Sequence, residues 1–524
     1  MPWLSSVRIQ HGANPQAAPD DGCSQAGRRM EQSRFAGAMR SAGPSHVPGR
    51  LQHSARLQSL LSSSPSEKPR SAGAAAVATP RNITTEESTM NDQPSKSTQP
   101  EHGTTRRRFL QQSTAVAAGA ALAVPGTTSA AEDVIRIGYV SPRTGSFSAF
   151  AEGDDFIVEQ ARKALAGGLT IGGKKYAVEL LVRDDQSNPD RASNLAAELI
   201  NKHNVDLMLA QGGLGVVPVS QQCESNGVPC VTTMSPWQAW MFPMKSDPAK
   251  GFKNCVHFFW GLEDISDVFL DIWKDLPVRK VVGTAFENTL PGNAMGDPKT
   301  GMPAMFAKGG YKIVDVGKFA LGTDDFSLYI QAFKKEGVEI VTGVVPPPEW
   351  ATFMKQAAQM GFKPKVATVA KAFLFPSGVA ALGARADGMS TEVWWSPAYP
   401  FRSSLTGQTA KQLAEAYQAA TKREWTQPLG VVHALFETGI AALKASGDPK
   451  NPAKVAETLR TLKQETVIGR LDFGGSGIKN VSKMRIVGGQ WRVNAQGKPE
   501  LFITHNRTAP EIPVQRKFEL LAIG

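Results

Sequence analysis

Asp184 and Asp185 close the run YAVELLVRDD as adjacent carboxylates, the residues best placed for acid–base work. Nothing beside them completes a catalytic set. The chain holds no GxSxG nucleophile turn, no CxxC, no HExxH and no Cys/His cluster at metal-ligand spacing. At a strand end two carboxylates suit capping of the next turn better than catalysis. No metal and no cofactor are expected. The remaining chemistry is that of binding. In Gln211-Gly212-Gly213-Leu214-Gly215 the amides of Gly213 and Gly215, at the start of a helix, can hold an anion or a carbonyl oxygen; glycines that only permit a tight turn are the alternative. Large rings cluster at Trp237 and Trp240, at Phe259-Trp260 and at Trp394-Trp395. Where such rings meet in one site they hold a flat ligand by stacking.

The leader decides how the bulk numbers are read. The stretch TTRRRFLQQSTAVAAGAALAVPGTTSAAED, residues 104–133, joins three arginines, a short weakly apolar run and small residues where a peptidase can cut. Its run of about ten apolar residues falls short of the roughly twenty that span a bilayer. Thr105-Arg106-Arg107-Arg108-Phe109-Leu110 resembles the twin-arginine export motif. Residues 1–89 carry no apolar periodicity and are expected to be untranslated or disordered, with the start at Met90 and the signal over 90–131. The full chain counts 58 Lys+Arg against 47 Asp+Glu, a net +11. Without residues 1–131 the net charge is +5 over 393 residues, enough for two domains. No basic run interleaved with aromatics speaks for nucleic acid. Three cysteines remain, and in an oxidising compartment Cys230 and Cys255 are the expected pair, with Cys223 left over.

From residue 132 onward strands and helices alternate. VIRIGYV, YAVELLVRDD, VDLMLA, GVPCVTT and CVHFFWG read as strands, with Asn188 capping a helix that has Pro189 at its first position. The pattern restarts with RKVVGTAF, YKIVDVGKF, VEIVTGVV and PKVATVA. One helix between them is expected to start from a Thr323 cap, to bury Phe326, Tyr329, Ile330 and Phe333, and to stop at Gly337. Alternation of this kind predicts an α/β fold of two doubly wound parallel-sheet lobes. The helices of residues 405–462 are too amphipathic to float free, which predicts that the chain returns to the first lobe near residues 389–396 and crosses to the second again near 469–474. The expected pieces are 132–258 and 390–468 for lobe 1, and 259–389 and 469–524 for lobe 2.

The order of an export signal, IRIGYVSPRTGSFSAFAEGD, VRDDQSNPDRASNLAAELI, a glycine turn, PVSQQCESNGVPCVTT and the late VIGRLDFGGSGIKNVSKMRIVGGQWR resembles the periplasmic substrate-binding proteins of ABC importers, of the branched-chain amino acid type. The resemblance covers residues 132–490. It implies a type I periplasmic binding fold with three hinge crossings, a small solute in the interlobe cleft, an inner-membrane permease as partner, a monomer and no enzymatic activity. A periplasmic enzyme on the same architecture, or the sensing domain of a separate signalling partner, are the alternatives. Four loops should meet in the cleft, beyond the carboxyl ends of the strands. The first offers Ser148 and Phe150, beside Phe147. The second offers Gly213 and Leu214, where amino-acid-binding relatives carry hydroxyls. The third offers Thr233, Met234, Ser235 and Trp237, and the fourth Glu287, Asn288, Lys371 and Phe373. Trp395 joins them from the second hinge. Lys371 falls where relatives that bind amino acids tend to carry an acid, which favours an aromatic or planar carboxylate or amide over a branched-chain amino acid.

Overall fold

The computed structural model describes residues 133–522. The signal segment and everything before it lie outside the described residues. Continuous apolar runs make the strands: LMLAQ, CVTT and CVHF are buried at every position, as strands covered by helices on both faces must be.

Six strands open the first lobe, β1 (Val134–Ser141), β2 (Leu169–Ile171), β3 (Lys174–Asp184), β4 (Leu207–Gln211), β5 (Cys230–Thr233) and β6 (Cys255–Phe258). The second lobe takes β7 (Val281–Glu287), β8 (Lys312–Phe319), β9 (Ile340–Val344), β10 (Val366–Ala370) and β11 (Ser390–Val393). Then come a hairpin, β12 (Lys463–Thr466) with β13 (Gly469–Asp472), the two-residue β14 (Val481–Ser482), and finally β15 (Val487–Val493) and β16 (Pro499–His505). One seven-stranded sheet has the order β14-β6-β5-β4-β1-β3-β2 and the other β16-β15-β11-β10-β9-β7-β8. Within these two sheets all pairs are parallel except β2 with β3, β11 with β15 and β15 with β16. In each sheet the first strand, β1 or β7, has its successors on opposite sides. Each sheet therefore has its topological switch at that strand, and a crevice opens beyond its carboxyl end.

The chain passes between the lobes three times. The first passage, at residues 259–261, follows β6 directly. The second lies after Val393, within the expected stretch 389–396, and the third after Ser482, later than the expected 469–474. Long-range pairing is the reason. Ser390 pairs with Thr368 and Gln490, which holds β11 in the second sheet, whereas Val481 pairs with His257, which holds β14 in the first. A four-residue buried run does not reveal in the sequence which sheet claims it.

Local signals fared unevenly. Asn188 Oδ1 accepts the Arg191 amide at 2.9 Å, as expected of a cap before Pro189. Thr323 caps nothing; its hydroxyl donates to Ala320 O, and the helix Ser327–Glu336 starts where Asp325 Oδ1 takes the Ser327 amide at 2.8 Å. Cys230 and Cys255 are register partners, yet both are free thiols, buried with Cys223. Neighbouring positions on parallel strands hold their side chains about 5 Å apart, against the ~3.8 Å between β-carbons that a disulfide wants.

The helix Gln427–Ala445, which follows the second passage, is buried along almost its whole length. Gly430 lies flat against Trp395, and a β-carbon there would come within 2.3 Å of the indole. Gly430→Val should therefore destabilise the fold by about 2 kcal/mol or more, read as a lowered midpoint in urea unfolding.

Candidate ligand-binding cleft

Loop 144–153, which follows β1, is tied down by the end of β3. Thr144 donates its hydroxyl to Asp184 Oδ2 at 2.7 Å and its amide to Oδ1 at 3.2 Å. Ser187 Oγ donates to Thr144 O and accepts the Phe147 amide. Asp184 thus anchors a loop, and its neighbour Asp185 lies buried against Gly215 at the start of the helix Val216–Asn226. Asp185 Oδ1 accepts the Ser187 amide at 2.8 Å, and its Oδ2 has no hydrogen-bond partner among the described residues.

The pinned loop presents Phe147 and Phe150, 5.8 Å apart. Phe150 meets Phe375 of the second lobe edge-on at 5.0 Å and stacks at 6.0 Å on Trp394 of the second passage. Trp394 in turn touches Phe259 and Trp260 of the first passage, at 5.0 and 6.0 Å. Phe147 covers Gly213, whose φ of +52° and 3.0 Å clearance to the ring both demand glycine. Leu214 is half-buried beside it, and Ser148 opens a short 3-10 turn. Ser377 Oγ donates to Glu152 Oε1 at 3.3 Å across the lobes.

The fourth loop carries a buried ion pair. Glu287, at the end of β7, is fully buried and receives Lys371 Nζ on both oxygens, at 2.9 and 2.8 Å, together with Thr289 Oγ1. The lysine also stands 5.8 Å over the Phe147 ring, in the other lobe. Lys371 is left-handed, with φ +71°. That reversal shifts the alternation of the following residues. Phe373 turns into the core against Trp350, with its carbonyl accepting from Trp491, and Phe375 takes the cleft position expected of it. Asn288 is exposed, its side chain bonded to Asn293.

The third loop is wired to the hinge. Thr233 spends its hydroxyl on Phe258 O, and the Ser235 carbonyl faces His257 Nε2 at 2.8 Å. Met234 is buried and left-handed, with φ +59°. Trp237 gives its indole N–H to Glu263 Oε1 at 2.9 Å. Lys483 of the third passage binds Glu263 at 2.6 Å and Asp264 at 2.8 Å. Burial opposes the lysine charge, but the pull of Asp264 and Glu263 outweighs it and raises the Lys483 pKa. Trp237 is thus tied to the hinge cluster by its indole N–H. Trp395 is fully buried, donates to Val467 O at 3.2 Å and packs on Gly430 rather than facing the cleft. Its neighbour Trp394 faces the cleft, one residue out of phase with the expectation. Gln427 clips this passage, accepting the Trp394 amide at 2.6 Å and donating to Glu392 O. The Trp260 and Trp394 indole nitrogens are buried without a hydrogen-bond partner among the described residues, with the Glu392 carboxyl beside Trp394.

Behind the first loop lies a polar core. Asp154 accepts from Tyr139 OH at 2.8 Å and Ser141 Oγ at 2.6 Å, and Gln211 Nε2 bridges toward it and Phe150 O. Burial pushes the Asp154 carboxyl up to about 7, against the hydrogen bonds that favour its ionised form. A carboxyl raised in the folded state stabilises in its protonated form, and that contribution drains away as pH climbs from about 4 through 7. Asp154→Asn should therefore gain thermal stability relative to the parent chain across this window, measured as the difference between their melting temperatures at pH 4 and pH 7.5. The ion pair supplies a second test. Lys371→Met strands Glu287 and should cost about 2 kcal/mol, while the double variant Glu287→Gln/Lys371→Met recovers most of the loss in chemical denaturation.

Comparison with known proteins bears on this geometry. The family model described as periplasmic binding protein matches residues 134–497. A Leu/Ile/Val-binding protein homolog of Brucella melitensis is 26% identical over 373 residues, covering 67% of this chain and 90% of that protein. The solved leucine-binding protein of Thermotoga maritima superposes with a TM-score of 0.56 at 19% identity, over 71% of this chain and 99% of its own. A solute-binding protein of an ABC transporter from Rhodopseudomonas palustris, in complex with 3,4-dihydroxybenzoic acid, gives 0.57 at 20% identity, over 71% and 97%. With the type I architecture of two switch-point sheets and three passages, and with a family match over more than half its length, this chain belongs to the periplasmic binding protein family.

Proposed function

We propose that this protein is the solute receptor of an ABC importer, closing its lobes on a planar aromatic acid or amide and handing it to an inner-membrane permease. The observation that carries the reading is the ring set joined across the lobes, Phe147 and Phe150 against Phe375 and Trp394. Rings that meet stacked and edge-on across the lobes favour a flat ligand over a branched aliphatic one. The unpartnered indole N–H of Trp260 favours a ligand with an acceptor oxygen, because a buried donor left unpaired costs about 1–3 kcal/mol. Lys371 adds a cation whose charge is balanced by Glu287, so the site has room for an amide as well as a carboxylate. The dihydroxybenzoic acid held by the Rhodopseudomonas protein is such a ligand, and leucine is the contrasting class among the relatives.

The receptor acts without turnover. Ligand binding shifts it toward the closed form, which the permease distinguishes from the open one. In this reading it is a periplasmic monomer exported by the twin-arginine route, and the Asp184 and Asp185 carboxylates hold loop turns in place. No described helix is long and apolar enough to cross a membrane.

A thermal-shift screen against benzoates, aromatic amides and aliphatic amino acids tests this. An aromatic acid or amide should stabilise the chain by about 2.7 kcal/mol at a hundredfold excess over Kd and be recovered unchanged. A melt shifted only by leucine, isoleucine or valine sinks the ligand class, and disappearance of the ligand sinks the receptor.

A further inference from the structure

At the end of the first lobe opposite the cleft, where β6 and β14 begin, a recess of about 490 Å³ opens. Three segments far apart in sequence build it: the turn holding Lys250 and Phe252, the last turn of the helix Pro452–Thr461 with Arg460, and the glycine-rich turn of residues 473–480 with Lys479. Its floor is apolar, from Phe252, Phe473 and Ile478.

The frame is rigid. Asn480, buried, donates to Phe252 O at 3.0 Å and Cys255 O at 2.9 Å and accepts the Phe252 amide at 2.9 Å. The Lys479 amide bonds Pro248 O, and Ser476 Oγ donates to the Ile478 and Val481 carbonyls. Arg460 is steadied by a hydrogen bond to Lys253 O.

The charge is one-sided. Among the described residues none of the three lining cations forms an ion pair, and no carboxylate lines the recess. The nearby acids are engaged elsewhere. Asp247 caps the amides of Ala249 and Lys250, Glu224 those of Lys253, Asn254 and Cys255, and Asp472 pairs with Lys463 while taking the Gly474 amide. Three like charges gathered over an apolar floor repel one another, and an anion carrying more than one charge relieves that repulsion better than a lone carboxylate. An arginine fork beside two lysines suits several oxygens on one centre.

We propose that this recess is a second binding site, separate from the interlobe cleft, for a multiply charged oxyanion of the phosphate class, free or as the headgroup of a larger molecule. The test titrates the full chain with pyrophosphate at low salt by calorimetry, and in parallel sediments it with vesicles of phosphatidylcholine with and without phosphatidic acid. The expected result is saturable binding in at least one arm, weakened about tenfold or more by the exposed double substitution Lys250→Ala/Lys479→Ala. The thermal shift given by a cleft ligand should be the same in that variant as in the parent chain. Binding of pyrophosphate alone identifies a free anion, and sedimentation that requires phosphatidic acid identifies a headgroup. Absence of binding in both arms, or equal binding by the double variant, overturns the proposal whatever the cleft ligand proves to be.

Discussion

Two sheets that each open a crevice become one site only if the passages between them hold a fixed geometry, and the charges around Lys483 do this. Its ammonium gathers Glu263 and Asp264, so the third passage is bound to the start of the helix that follows the first. Glu263 reaches on to Trp237 and Gln238 in the third cleft loop. The second passage is held differently, by the amide of Gln427 and the fit of Trp395 on Gly430. Hinge and cleft wall therefore share residues, and a movement of one is felt by the other.

The cleft itself is mostly ring surface with its one strong charge balanced internally. A site of this kind gains little from long-range attraction and much from shape. Burying the Glu287–Lys371 pair carries a desolvation cost that both oxygens and Thr289 help to offset. The pair also fixes the left-handed turn at Lys371, which aims Phe375 at Phe150.

Much of this was legible in the sequence. Runs such as LMLAQ and CVHF announced buried strands, and Asn188-Pro189 announced a helix start, because those signals act within a few residues. The loops of the cleft were legible from their order as well. What failed was the direction of single side chains. Phe373 turns inward while Phe375 meets Phe150 because the backbone reverses at Lys371, a conformation the residue types around it do not announce. Of the adjacent Trp394 and Trp395, only the packing of Trp395 on Gly430 decides which one turns from the cleft. The third passage came later than expected since β14 is claimed by β6, far away in the chain.

That distant claim governs how the molecule is made. Asn480 bonds Phe252 across a sequence separation of 228, and β14 completes an edge whose other strands were synthesised long before. The whole first part of the second lobe is inserted between the halves of the first. The first lobe must therefore wait, with its edge strand β6 and the seat of the buried helix Gln427–Ala445 uncovered, until nearly the entire chain is available. Contacts of such high order close slowly and leave apolar surface open to aggregation meanwhile. Chains that end before β14 should thus leave unfinished the lobe that was begun first.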